Sequence, residues 1–308
     1  MTGIHAALED YLLIRRSLGH KLAGAEYLLR RFLAFLAEAG ATRVTTDLAI
    51  TWATLPQGAS AVYLAQRLSA VRCFASWLQS LDPGTEVPPA GLLTGGTARA
   101  VPYLYTDGEV TAIMAAAQHL RHPMRRCTYQ TLIGLLASTG LRVGEAIRLD
   151  RGDVCPGPDL VRVVGSKFGK SREVPLHPAT VQALRRYGHR RDELCPQPRA
   201  DSFFLSATGT RLVCRTVQSA FHSLLRHAGL GAGTGRRGPR IHGLRHTFAT
   251  NTLAGWYQAG ADVPALLPLL STYMGHTDPK STYWYLSATP ELLGLAARRL
   301  EDAFEGAR

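Results

Sequence analysis

The stretch Ser138-Thr139-Gly140-Leu141-Arg142-Val143-Gly144-Glu145 sets the reading of the whole chain. Residues 126–139 carry apolar side chains at helical spacing, and Gly140 is the residue type that closes such a helix in a left-handed turn. A new helix is expected over 143–149, with Arg142 at its start. Free backbone N–H groups and the helix dipole favour an anion there, and a guanidinium adds to the attraction. Taken alone, a C-cap glycine and a surface Arg142–Glu145 pair at i, i+3 describe the same residues.

Working outward, the downstream half reads as helices over 178–192, 215–228, 243–254, 262–270 and 279–286, with an amphipathic helix at 290–304. One β element interrupts them. Leu160 to Val164 and Arg172 to Val174 read as a hairpin, joined by the polar turn Gly165-Ser166-Lys167-Phe168-Gly169-Lys170. Upstream, a helix is expected over 107–118. Residues 82–102 hold four prolines and four glycines with little periodicity, which is linker composition. Before them come four helices. The first spans His5 to Leu18, with Leu8, Tyr11, Leu12 and Leu18 as its apolar stripe. The second, Glu26 to Ala39, buries Leu29, Phe32, Leu33 and Leu36. A third starts at Thr46 and Asp47 and runs through Trp52. The fourth, from Ala59 to Leu81, buries Val62, Leu64, Leu68, Val71, Phe74 and Leu78. The expected fold is mainly α with a small antiparallel β-sheet, in two domains: a helical one at 1–84, a linker at 85–102 and a larger one at 103–308.

Composition narrows the partners. With 308 residues, 46% apolar and 19% charged, the chain can build ordinary cores. Its formal charge of +12 points to an anionic partner, and the excess is uneven. Residues 1–100 carry +2, against +10 for the remainder. Five cysteines are scattered without metal-binding or disulfide spacing. The N-terminus lacks a signal-peptide pattern and no apolar run reaches membrane-spanning length, so a cytoplasmic protein without membrane association is expected.

Two further clusters carry chemistry. In Ile241-His242-Gly243-Leu244-Arg245-His246-Thr247, His242 and Arg245 are three apart and share a helical face. That puts a proton-handling group beside a phosphate clamp. His242 and His246 also have zinc spacing, but no Glu stands between them and a third ligand is missing. A solvated basic face is the plainer alternative. In Met274-Gly275-His276-Thr277-Asp278-Pro279-Lys280-Ser281-Thr282-Tyr283-Trp284-Tyr285, a histidine precedes a tyrosine by nine residues. Tyr283 and Tyr285, two apart, cannot share a helical face. A single tyrosine, taken alone, is usually a packed one with a satisfied hydroxyl.

Together the clusters resemble the tyrosine recombinase (phage integrase) family, which carries Arg, Lys, His-x-x-Arg, His or Trp, and Tyr in this chain order. The matching residues are Arg142, Lys167, His242, Arg245, His276 and Tyr285, over roughly residues 105–300. The resemblance implies DNA cleavage and rejoining through a 3′-phosphotyrosine on Tyr285, with no metal, ATP or other cofactor. Arg142 and Arg245 would clamp the phosphate, Lys167 would protonate the leaving 5′-oxygen, His242 would handle the tyrosine proton and His276 would hydrogen-bond a phosphate oxygen. Glu145 reads as an orienting residue, and Lys170 is the alternative to Lys167. The stretch between Arg245 and His276 is longer than in the simplest members, with Gly255-Trp256-Tyr257-Gln258 and a second loop in it.

The resemblance also implies partners: double-stranded DNA at specific recombination sites, and a synaptic tetramer of self-associated protomers. The helical N-terminal region would be a core-binding domain, closing with the catalytic domain into a C-shaped clamp around DNA. The C-terminal helix would dock on a neighbour or pack in cis. A mobile-element integrase or transposase is the expected biological role, with a chromosome or plasmid dimer resolvase as the alternative. Outside the recombinases, the competing readings are a type IB topoisomerase, a non-catalytic DNA-binding protein and a metal nuclease.

Overall fold

The computed structural model describes residues 2–95, 102–155, 157, 159–165, 169, 171–231, 238–276, 278, 280–286, 293, 294 and 297. Lys167, Lys170 and most of the helix expected at 290–304 lie outside the described residues. The chain divides into two units, Met1–Arg99 and Ala100–Arg308.

The first unit is four helices: α1 (Thr2–Ser17), α2 (Ala23–Glu38), α3 (Thr46–Thr54) and α4 (Ala61–Leu78). Their apolar stripes meet in one core of Leu8, Leu12, Leu29, Phe32, Leu33, Trp52, Val71 and Phe74. The cap of α3 is Thr45, one residue earlier than expected, whose hydroxyl accepts from Leu48 N. Ser60 caps α4 in the same way and so delays its start. Val62, expected in the core, is 40% exposed, and Leu18 lies outside α1 and exposed. The side chain that α4 buries instead is Arg67. Its guanidinium stacks 3.7 Å from the Trp52 ring, and Nη2 donates to the Trp52 carbonyl. Part of the proline- and glycine-rich stretch also belongs to this unit. Glu86 receives Thr46 N at its carboxylate, and Val87 and Leu93 pack on the helical core.

The second unit is mainly helical around a two-stranded sheet. Helix α5 (Asp107–Ala116) starts in a capping box of Thr106 and Glu109. Helix α6 (Pro123–Thr139) ends at Gly140, whose φ of 61° is left-handed. The next helix, expected over 143–149, is a single turn, α7 (Val143–Ala146). The hairpin forms as expected. Strand β1 (Leu160–Val163) pairs antiparallel with β2 (Arg172–Pro175), Val161 opposite Val174 and Val163 opposite Arg172. Then follow α8 (Pro178–Leu194), α9 (Cys214–His227), α10 (Ile241–Gln258), α11 (Val263–Met274) and α12 (Lys280–Leu286). Gly255 to Gln258 form the last turn of α10 rather than a loop.

Among its described residues, two cores hold this unit together. The larger gathers α5, α6, α8, α9 and the inward faces of both strands, with Ile113, Leu132, Val161, Leu184 and Phe221 among its buried members. The smaller joins α10, α11 and α12 through Leu253, Val263, Leu267, Met274 and Tyr285. The carbonyl end of α11 therefore faces the junction where α6, β2 and α10 also arrive. No helix among the described residues is long and apolar enough to cross a membrane.

Candidate active site

The last carbonyls of a helix have no partner within it and carry the negative end of its dipole. At the end of α11, three consecutive carbonyls each receive a different arginine. Tyr273 O accepts from Arg172 Nε at 2.8 Å, and Met274 O from Arg245 Nη2 at 2.8 Å. Gly275 O accepts from both terminal nitrogens of Arg142 at 3.2 Å. Gly275 closes the helix with φ +68°, and a Cβ on it would lie 2.6 Å from the Arg172 guanidinium, so only glycine fits.

Glu145 ties two of these arginines together. It is 3% exposed, and its carboxylate accepts from Arg142 N and Nη1 at 3.0 and 2.9 Å. From the other side Arg172 donates bidentately, at 3.2 and 3.0 Å. Burial alone would raise the Glu145 pKa. The hydrogen bonds and charge of Arg172, with the backbone N–H and charge of Arg142, outweigh it and hold the carboxyl below its ordinary value. The Arg142–Glu145 pair is thus an interior scaffold, not the surface pair that i, i+3 spacing also allowed.

Arg245, 3% exposed, is the most enclosed of the three arginines. Beyond Met274 O, its Nη1 reaches Gly140 O at 2.6 Å, and Nη2 lies 2.9 Å from His276 Nε2. Burial, and then the Arg142 charge, lower its pKa to about 10, which leaves it protonated at neutral pH. His276 is held at both ring nitrogens, since Nδ1 lies 2.7 Å from the Thr282 hydroxyl. Burial and the charges of Arg245, Arg142 and Arg172 pull its pKa down to about 4. The ring is therefore neutral near pH 7. A guanidinium can only donate, so Nε2 accepts and the proton sits on Nδ1, which donates to Thr282.

His242 stands in the first turn of α10 with its surface open to solvent. The protein that surrounds it desolvates it in part, and with the charges of Arg245 and Arg142 this keeps its pKa below the usual histidine value. Tyr285 is 3% exposed and its ring lies nearly parallel to that of His276, centroids 6.1 Å apart. Tyr283, on the opposite side of α12, is 53% exposed.

The fold therefore brings Arg142, Arg245, His276 and Tyr285 to one junction, with His242 at the start of the helix that carries Arg245. Lys167 lies outside the described residues. Sequence reasoning missed Arg172 and Thr282. No local signal pointed to Arg172, because the burial of Glu145 that calls for a second cation is a property of the fold. Among the described residues no group of three His, Cys, Asp or Glu is placed to hold a metal ion, so the His242–His246 pair gains no third ligand.

Positive charge also gathers away from this junction. Arg121, Arg125, Arg215 and Arg226 line an open cleft of about 540 Å³ between the start of α6 and one face of α9, together with Thr216, Ser219 and Ser223. A second cleft of about 440 Å³, between α6 and α8, contains none of the described site residues.

Residues 104–291 match the phage integrase family. A Sinorhizobium fredii protein named as an integrase/recombinase is 42% identical over 311 residues, covering 99% of both chains. Tyrosine recombinase XerC of Mycobacterium tuberculosis is 32% identical over 267 residues, covering 83% of this chain and 84% of that one. Among solved structures, the Tn1549 transposon integrase in complex with transposon right-end DNA has the same fold. Its TM-score is 0.69 at 16% identity, over 96% of this chain and 98% of that one. The ordered Arg, His-x-x-Arg, His and Tyr positions of the sequence thus fold to one junction, and the chain belongs to the phage integrase family of tyrosine recombinases.

Proposed function

We propose that this chain cleaves and rejoins double-stranded DNA at specific recombination sites, with Tyr285 as the nucleophile. The observation that carries the reading is the convergence of Arg142, Arg245 and His276 at the end of α11, with Tyr285 stacked on His276. A phosphodiester under attack becomes a crowded, highly charged phosphorane, and preorganised guanidinium groups stabilise such charge at little reorganisation cost. Arg142 and Arg245 would hold the non-bridging oxygens, exchanging part of their carbonyl contacts for phosphate. Tyr285 would attack phosphorus, its proton passing to His242, while Lys167 protonates the departing 5′-oxygen; Lys170 is the alternative acid. The covalent 3′-phosphotyrosine conserves the bond energy, and a 5′-hydroxyl from a partner duplex reverses the step.

His276 enters this scheme in a particular state. Its Nε2 accepts from Arg245, so donation to a phosphate oxygen requires the ring to gain a proton or to exchange tautomer when the phosphate arrives.

The basic cleft beside α9 supports a backbone contact with the same DNA. The four-helix N-terminal unit would serve as a core-binding domain, forming with the catalytic domain a C-shaped clamp around the duplex, and four protomers would form the synaptic complex. Likeness over its whole length to a protein named integrase/recombinase favours a mobile-element role.

The test is a nicked suicide duplex bearing the recombination site, with chelator present. An adduct stable in denaturant, lost in Tyr285→Phe and kept in Tyr283→Phe, is the expected result. An adduct unaffected by Tyr285→Phe overturns the reading.

A further inference from the structure

Tyr285 sits on α12, described over Lys280–Leu286, and its ring packs against imidazoles from two other parts of the chain. One is His276, already engaged at both nitrogens by Arg245 and Thr282. The other is His246 of α10, whose ring centroid lies 5.5 Å from that of Tyr285 at an interplanar angle of 57°. His246 also packs on Trp284 at 5.3 Å and, one helical turn back, on His242 at 4.7 Å. It directly follows Arg245, the buried arginine of the clamp.

We propose that His246 is a positioning residue for DNA cleavage, its ring bracing Tyr285 at a fixed place relative to the arginine clamp. The inference rests on Tyr285 being the nucleophile. In-line attack needs the reacting atoms about 3–3.5 Å apart, and a misplacement near 1 Å can cost about a hundredfold in rate. Small rotations of the tyrosine side chain would swing its oxygen off line. Helix α10 has 18 residues and is anchored through Arg245 to Gly140 O and Met274 O. With the clamp and the brace on consecutive residues of that helix, nucleophile and phosphate share one frame.

The chemistry balances without His246 exchanging an atom. The bond from Tyr285 Oη to phosphorus forms as the phosphorus–O5′ bond breaks. The phenolic proton leaves toward His242 and the departing O5′ takes a proton from the lysine acid. This separates the role of His246 from that of His242, although the two imidazoles touch.

The test uses the full-length protein and the nicked duplex on which the unmodified enzyme forms its adduct. His246→Ala should lower the single-turnover rate of adduct formation at saturating DNA by roughly ten- to a hundredfold. The DNA concentration giving half-maximal rate should change less than twofold. His246→Phe, which restores an aromatic wall, should recover most of the rate. Circular dichroism and thermal midpoints of both variants establish that they fold; if the alanine variant does not, His246→Asn takes its place. A rate within twofold of the unmodified enzyme in the truncated variant overturns the inference. So does a phenylalanine variant as slow as alanine, which would make the imidazole a proton carrier. An adduct persisting in Tyr285→Phe removes the nucleophile assignment itself, an outcome these variants do not produce.

Discussion

Arg245 Nη2 lies 2.9 Å from His276 Nε2, and this contact fixes the histidine as a neutral acceptor. Burial first, and then the charges of Arg245, Arg142 and Arg172, bring its pKa down to about 4, and protonating the ring would also put two donors face to face. An unfolded histidine titrates near 6.5. Between those values the unfolded chain binds a proton that the folded chain refuses, so stability falls as pH drops from about 6.5 toward 4 and is unaffected by this group above that window. Thermal midpoints measured from pH 7.5 to 4.5 should decline more steeply for the unmodified protein than for His276→Gln. Parallel curves would contradict the assignment.

Arg142→Ala should remove one arm of the clamp and leave Glu145 paired with Arg172. The expected loss in adduct formation is about 10²–10³-fold, the scale of deleting one preorganised donor to a charged transition state. Since the Glu145–Arg172 pair survives, the melting temperature should move far less than the rate. A suicide-substrate time course beside a melting curve reads both.

Arg172→Ala should behave in the opposite way. It removes the bidentate, more enclosed partner of Glu145 and leaves only the single side-chain contact of the more exposed Arg142. The cost should therefore approach that of breaking a buried ion pair, about 3–5 kcal/mol. Arg172→Gln combined with Glu145→Gln should be milder than the single alanine change, because no uncompensated charge stays buried. Urea unfolding of Arg172→Gln, Glu145→Gln and the double variant gives the coupling. Additivity within about 0.5 kcal/mol would show that the bidentate contact carries no coupling energy.

Gly140→Ala tests the turn from which the site reading began. Its φ of 61° costs an alanine about 1–2 kcal/mol, and the added methyl would lie 2.5 Å from the Phe248 ring. A loss above 2 kcal/mol in urea unfolding is expected. Gly140 O is also an Arg245 acceptor, so the adduct rate should fall with it.

What could be read from the sequence follows from the range of the interactions. Helices announced themselves by apolar spacing, which is local, and the β1–β2 hairpin by alternation around a polar turn. Tyr285 and Tyr283 were expected on different faces, and one proved enclosed and the other open. Arg172 was invisible as a site residue because its meaning depends on contacts 27 and 101 positions away, made by the placement of β2 and α11. The brevity of α7 was equally hidden. The sequence after Ala146 remains good helix sequence, and what ends it is tertiary: Leu149 O accepts from Phe203 N, and Asp150 bridges to Ser202. Linker composition misled in the same way at residues 86–93, where Glu86 and Val87 find partners that no local pattern encodes.

The cleft beside α9 makes a prediction about salt. Arg121, Arg125, Arg215 and Arg226 line it, and none of the described residues lining it is acidic. If DNA phosphates lie along it, each arginine displaces condensed counterions, and the slope of log K against log salt reports how many do so. Replacing any one by alanine should weaken binding to specific and unrelated duplexes alike and reduce that slope by about one. Arg185 makes the useful control. It is basic and exposed on α8, already paired with Asp159, and outside the cleft. Arg185→Ala should leave the slope unchanged within error. A slope that falls equally for Arg185→Ala and the cleft variants would mean that net charge, not this cleft, sets the affinity.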